Sequence, residues 1–408
     1  MKNNQKKNEN NEYIRVGTTY YKIIHEPNIY DEDQFFKRLA KWDRSSIIED
    51  KGKEFLKKIK RYDDFINYPC HNDYKTEVKG FYNEYHEISG EIKNGEFSVT
   101  EKFLKHIFGD FYGLGLDYLT ILWQIPIQDL PILCLVSKKR NTGKTTFLNW
   151  LRLIFENNVA VIKKVDFKSR FNDAWVAKLV VAVDEAKFDK KEDTDFIKEL
   201  STSKTQQREK KGVDQKQENF FGKIILASNN VDDFIVIDKE EIRFWVLDID
   251  EIGEHIDGFE EKIKEEIPFF KHFLKSRNIE YPKSSRMWFK PSDIKTEALS
   301  RVVKNSFDID EKELAIIIYE YIQTSEQDSV KLTIKDIKSF MQENRFFISN
   351  SQITKILKDQ WNLLPSQSTT YKFYLKVDLR FGDGSGIEKE DRKGRVYEFD
   401  KDFIQSLI

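Results

Sequence analysis

The stretch Leu133–Leu151 reads LCLVSKKRNTGKTTFLNWL. An apolar strand pattern runs into a basic, polar loop, and Gly143-Lys144-Thr145-Thr146 opens an apolar-periodic helix pattern. A phosphate-binding loop needs that succession, because backbone N–H groups at a helix N-terminus face the anion while a lysine neutralises it. The G-x-x-x-x-G-K-[ST] pattern begins with glycine, and here Lys138 takes that place. A residue other than glycine held at positive φ costs roughly 1–2 kcal/mol, a small strain beside the charge-assisted bonds a triphosphate makes. Asn141, Thr142, Gly143, Lys144, Thr145 and Thr146 are therefore candidates to cradle ATP, with the Thr145 hydroxyl on Mg²⁺.

The surrounding rhythm sets the fold class. Apolar runs PILCLVS, VAVIKKV, KLVVAVDE, KIILASNN and RFWVLDID alternate with helical stretches from about residue 97 to 255, the pattern of an α/β domain with a largely parallel sheet. Three of these runs carry, at one end, groups suited to phosphoryl transfer. KLVVAVDE ends in Asp184 and Glu185, where one carboxylate can hold Mg²⁺ and a second can act as base for a water. KIILASNN ends in Asn229, whose amide can orient that water. Arg243 opens the last run and is a candidate to neutralise transition-state charge from a neighbouring subunit.

Together these elements resemble the superfamily 3 helicases, which are AAA+ motors. FLKHIFG, GLDYL, ELSTS, FFGKIILASNN and EIRFWV are similar to the helicase portion of phage and mobile-element primase-helicase proteins. Lys144 to Arg243 spans 99 positions, the compact spacing of that family. The resemblance is strongest over residues 95–250 and implies Walker A roles for Lys144 and Thr145, Walker B roles for Asp184 and Glu185, a motif C sensor at Asn229 and a finger at Arg243. It also implies that TQQREKKGVDQKQENFF is a hairpin turning at Gly212, with Arg208, Lys210, Lys211 and Lys216 gripping the phosphates of single-stranded DNA. A homo-hexameric ring moving 3′ to 5′ on a strand or forked duplex, in replication of a phage or mobile element, is the implied activity.

The rest of the chain frames this core. Residues 1–12 are polar and read as a disordered tail. Residues 13–96 read as a helical module, with TTYYKII as a strand and DEDQFFKRLAKW and GKEFLKKIKRYDDFI as amphipathic helices, and are expected to form an oligomerisation collar. They are too short for a primase domain, so a separate primase is the expected partner. Residues 256–310 read as a helical connector. Residues 311–408 read as a winged-helix domain: EKELAIIIYEYIQ, TIKDIKSFMQEN and SNSQITKILKDQW suggest three helices capped at Thr333 and at Ser349 or Asn350. The turn FGDGSG and the strand GRVYEFD follow. Lys355, Lys358, Lys389, Arg392, Lys393 and Arg395 give this tail a basic edge.

Composition narrows the classes. A net charge of −2 leaves nucleic-acid contact to local basic clusters, not to the bulk field. Two distant cysteines, Cys70 and Cys134, and six scattered histidines offer neither a disulfide framework nor metal-ligand spacing. No apolar run reaches a membrane span of about 18 residues, and a cytoplasmic location is expected. Two other readings stay open: a replication initiator or loader whose ATPase controls assembly only, and a P-loop kinase acting on a small molecule.

Overall fold

The computed structural model describes residues 12–28, 31–188, 190–238, 241–253, 257–378 and 385–408. The expected tail, apart from Glu12, and residues 381–384 of the expected FGDGSG turn lie outside them. The chain divides into two compact units. One comprises Met1–Lys187, Ile197–Val231 and Ile242–Thr296; the other comprises Phe188–Phe196, Asp232–Glu241 and Glu297–Ile408.

The N-terminal part of the first unit is a correction to the sequence reading, since it is built mainly of strands. β1 (Tyr13–Val16), β2 (Thr19–Asn28), β3 (Asp31–Trp42) and β4 (Lys60–Tyr62) form a sheet in the order β3-β2-β1-β4. β5 (Phe65–Ile66), β6 (Glu77–Val78) and β7 (Phe81–Asn83) form a second, ordered β5-β7-β6. DEDQFFKRLAKW, expected to be a helix, is β3. Cross-strand pairing overrides its 3.6-residue rhythm, setting Leu39 opposite Ile23 and Trp42 opposite Tyr20. Leu39 then packs with Ile14, Val16 and Tyr62 on one face, while Trp42 packs with Tyr13 and Ile47 on the other. Of GKEFLKKIKRYDDFI, only Lys53–Lys57 is helical, as a short 3₁₀ turn.

The core of this unit is a five-stranded sheet, and the five expected runs supply its strands. These are β8 (Ile132–Val136), β9 (Val159–Lys163), β10 (Val180–Asp184), β13 (Lys223–Ser228) and β14 (Phe244–Asp248). Between β10 and β13 comes a hairpin of β11 (Thr205–Lys210) and β12 (Val213–Asn219). The sheet order is β14-β8-β13-β10-β9 and every pairing is parallel. Parallel strands buried on both faces need continuous apolar runs, and β8 and β13 are buried at every residue.

Helices cover the face of the sheet that carries Leu133, Leu135, Ala182, Ile225 and Trp245. Tyr112–Gln124 is buried from Leu114 to Trp123, including Asp117. Asp117 pairs with Arg277 and also accepts the backbone N–H groups of Glu280 and Tyr281. Ser98–Phe108 has Phe97 as its N-cap, which cannot cap; the Glu266 carboxylate accepts from Val99 N and Thr100 N instead, at 3.0 and 2.7 Å. Within the stretch read as a connector, helix Ile267–Ser276 contributes Phe270 and Leu274 to this core, and a 29-residue helix, Glu297–Ser325, starts at the second unit's boundary.

The second unit contains the three expected helices. Glu297–Ser325 is followed by Ile334–Glu343 and by Asn350–Lys355, which continues as a π-type turn through Gln360. Thr333 and Ser349 are the N-caps, each closing a capping box with Asp336 and Gln352. β15 (Ser329–Leu332) pairs with β18 (Tyr397–Asp400), and β16 (Thr369–Asp378) with β17 (Ser385–Gly394). Leu314, Ile318 and Ile322 recur at helical spacing and meet Ile337, Met341, Ile353 and Phe399 in one core. Arg392, expected on a basic edge, lies 3.5 Å over the Phe373 ring and pairs with Asp336 and Glu390. Its charge is spent inside the unit.

Candidate functional site

The C-terminal edge of the parallel sheet gathers the candidate groups. β8 ends at Val136, and the loop from Ser137 leads to helix Lys144–Phe155. Positive φ in this loop falls at Asn141 (55°) and Gly143 (81°) and not at Lys138. The strain expected at the pattern's first position is therefore not incurred: the left-handed residue is an asparagine, a type that tolerates it. Gly143 is also closely packed: a Cβ there would stand 3.1 Å from Phe103 Cε2 and 3.4 Å from Ile252 Cδ1, so those side chains would have to give way.

Lys144 is 7% exposed, and its Nζ donates to Thr142 Oγ1 at 3.0 Å. Burial lowers its pKa while the charge of Asp184 works the other way. A desolvated ammonium with one neutral partner suits an incoming anion. Thr145 Oγ1 donates to Asp184 Oδ2 at 3.2 Å, joining the first turn of that helix to the end of β10. Asp184 Oδ1 in turn accepts from the Glu185 backbone N–H at 3.0 Å. Glu185 is exposed and sits at φ 54°, and while Asp184 bonds Thr145 the Glu185 carboxylate lies 4.0 Å from Lys163 Nζ.

Asn229 follows directly on β13, the strand between β8 and β10. It is exposed, and Ser228 beside it bonds Ser137 N through its carbonyl and Ala186 O through its hydroxyl. The loop after β8, the acidic turn after β10 and the amide after β13 are thus tied together by backbone. Asn141 and Thr145 are exposed, Thr146 is half-buried, and Thr142 is buried. Arg243 stands elsewhere. Its carbonyl accepts from Ile132 N at 2.8 Å, at the opposite end of β8 from the loop. At about 3.3 Å per residue that separates it from the loop by roughly 13 Å of strand.

Some supporting residues have no local sequence signal. His106 Nε2 lies 3.0 Å from the Thr142 carbonyl, and Lys163 Nζ is 4.0 Å from Glu185 Oε2. Only the β9–β10 register, which pairs Lys163 with Asp184, could have pointed to the latter.

The basic segment forms the expected hairpin, with Lys211 and Gly212 as its turn and Gly212 at φ 73°. Its cations differ in availability. Arg208 bonds Asp173 at 2.6 Å and Glu84 at 2.8 Å and lies 3.6 Å from Glu218, so it braces the hairpin and is not free to grip phosphate. Lys210 pairs with Asp173 and Lys216 with Asp64. Lys211 is exposed at the tip.

Comparisons with known proteins agree with this geometry at the level of fold. Residues 135–243 match a family described as "Family of unknown function (DUF5906)", a segment running from β8 to Arg243. An apo structure of the NrS-1 C-terminal region superposes with a TM-score of 0.57 at 14% identity, over 88% of this chain and 93% of that one. Two further apo structures of that region, both of an A form, give 0.55 and 0.53 at 16% identity, covering 87% and 85% of this chain and 92% and 85% of theirs. No curated protein sequence matches the chain. Among the described residues, no helix is long and apolar enough to cross a membrane. The chain shares its α/β architecture, with a parallel core and flanking helices, with the NrS-1 C-terminal region.

Proposed function

We propose that this chain is an ATP-driven DNA helicase of the superfamily 3 type, acting as a homo-hexameric ring that travels 3′ to 5′ on single-stranded DNA in replication of a phage or mobile element. The observation that carries the reading is the hydrogen bond from Thr145 to Asp184 beside the buried Lys144. Hydroxyl, carboxylate and ammonium stand together at the N-terminus of one helix, the donor set a magnesium nucleotide needs. Lys144 is suited to the β- and γ-phosphates, with Asn141, Thr142, Gly143 and Thr146 lining the cradle. Thr145 and Asp184 would hold Mg²⁺, which when bound neutralises charge on the phosphate oxygens. Glu185 takes the proton of the attacking water, and Asn229 orients that water.

Arg243 completes the site from the adjacent subunit, since its place at the far end of β8 argues against service in its own. The exposed cations of the hairpin, Lys211 with Lys210 and Lys216, meet the DNA backbone. The C-terminal unit is read as a winged helix, and a separate primase is the expected partner. A small-molecule kinase is disfavoured because β13 lies between β8 and β10, and Asn229 follows it on the same edge as the phosphate loop, which supports its reading as the water-orienting amide. A forked-duplex assay tests the proposal against an initiator or loader. Strand separation lost in Lys144→Ala and Arg243→Ala supports the helicase; DNA binding and ATP-dependent assembly without strand separation supports the other.

A further inference from the structure

The cations of the β11–β12 hairpin fall into two groups by how they are held. Arg208 is 23% exposed at its side chain and is shared by three carboxylates, Asp173, Glu84 and Glu218. Surrounding acids raise its already high pKa against the cost of burial. Removing it would strand the buried Glu218 and two partly buried carboxylates, so it anchors the hairpin. Lys216 is different. Its Nζ lies 3.0 Å from Asp64 Oδ2 with both side chains about half exposed, 45% and 52%, and makes a second, longer contact of 3.9 Å with Glu218 Oε1. Lys210, 61% exposed, lies 3.2 Å from Asp173 Oδ2. Exposed pairs of this kind are weak and screened by salt. A carboxylate and a phosphate present the same chemistry to an ammonium, an oxyanion accepting charge-assisted hydrogen bonds.

Asp64 belongs to the N-terminal module, immediately before β5, where its Oδ1 accepts from Phe65 N at 2.8 Å. Its carboxyl is held below the ordinary range, because the Phe65 N–H and Lys216 together outweigh the cost of burial. It therefore stays ionised and fixed by its own backbone, opposite a lysine on a mobile four-carbon stem.

We infer that Asp64 is an internal stand-in for nucleic-acid phosphate: single-stranded DNA reaching the hairpin displaces it from Lys216, so the N-terminal module sets the hairpin's affinity for DNA. The inference rests on the proposed reading of the hairpin as the DNA contact. Asp173 does the same for Lys210 while also holding Arg208, which keeps the hairpin in place as its lysines change partners. The N-terminal module thus acts as a competitor for the strand.

The test is a double-mutant cycle on the full chain, using fluorescence anisotropy with a labelled oligo-dT strand at fixed, low salt. Asp64→Asn keeps the oxygen that accepts from Phe65 N and removes the charge. It should tighten binding roughly two- to fivefold, the range of an exposed pair. Lys216→Ala should weaken binding, and adding Asp64→Asn to Lys216→Ala should give no gain. Asp64→Ala serves as a second variant, and thermal melting of each checks the fold. Unchanged affinity in Asp64→Asn, with Lys216→Ala still weakened, overturns the inference and leaves the hairpin as the DNA contact. An equal gain on the Lys216→Ala background also overturns it, since the effect would then be bulk charge. If Lys210→Ala, Lys211→Ala and Lys216→Ala all bind like the parent, the hairpin reading fails and the inference falls with it.

Discussion

Thr145 Oγ1 and Asp184 Oδ2 stand 3.2 Å apart, joining the first turn after the phosphate loop to the end of β10 across the edge of the sheet. Both belong to the proposed metal site, and Thr145 is exposed while Asp184 is half-buried. Thr145→Ala and Asp184→Asn should each lower ATP hydrolysis by about 100-fold or more. Stability should change little, within about 0.5 kcal/mol as for most surface changes. Steady-state phosphate release with added Mg²⁺, and again after chelation, checks both the side chains and the metal.

Glu185 is exposed at φ 54°, beside but not bonded by its side chain to Thr145. As the proposed base it acts on the water and not on the nucleotide. Glu185→Gln should bind ATP with nearly parental affinity and hydrolyse it about 100-fold more slowly, within the range for general bases. Nucleotide binding and single-turnover hydrolysis, measured side by side, separate the two effects.

Asp117 is fully buried in helix Tyr112–Gln124, with Arg277 and two backbone N–H groups as its partners. Truncation leaves the buried Arg277 guanidinium with only the exposed Glu280 as an ion-pair partner among the described residues and takes the acceptor from two backbone N–H groups. Asp117→Ala should cost about 3–5 kcal/mol, read by denaturant unfolding of the first unit, while Asp117→Asn should cost less because it keeps an acceptor.

Asp310 is 4% exposed in the second unit and takes a bond of 3.3 Å from Gln352 Nε2. Burial, aided by Asp238 and opposed by Lys191, pushes its pKa up to about 7. The folded state therefore binds this proton more tightly than the unfolded chain. Its contribution is fullest below the ordinary carboxyl range and is lost as pH rises to about 7. Asp310→Asn should raise the melting temperature at pH 8 and leave it nearly unchanged at pH 4. Equal shifts at both would show that the carboxyl is not protonated on folding.

The core sheet was legible because its strands are continuous apolar runs, each bounded by a loop with its own chemistry. The caps at Thr333 and Ser349 were legible for a similar reason, since a hydroxyl precedes each helical rhythm. In the N-terminal module only the strand TTYYKII was legible, as β2. In DEDQFFKRLAKW the helical and the alternating pattern coexist, and only pairing with β2 decides between them. Arg208 was legible as a hairpin cation but not as an anchor, because Glu84 and Asp173 are distant in sequence and meet it only in the folded chain. Asp117 and Arg277 were missed on the same ground.

The central claim is that ATP is hydrolysed between two subunits, with Lys144 from one and Arg243 from the next. Lys144→Ala and Arg243→Ala chains, each nearly inactive alone, should regain turnover when mixed. In a randomly mixed head-to-tail ring, about one interface in four joins an intact lysine to an intact arginine, so about a quarter of parental activity is predicted. No recovery on mixing, alongside an intact protein that hydrolyses ATP at full rate as a strict monomer, would contradict the account.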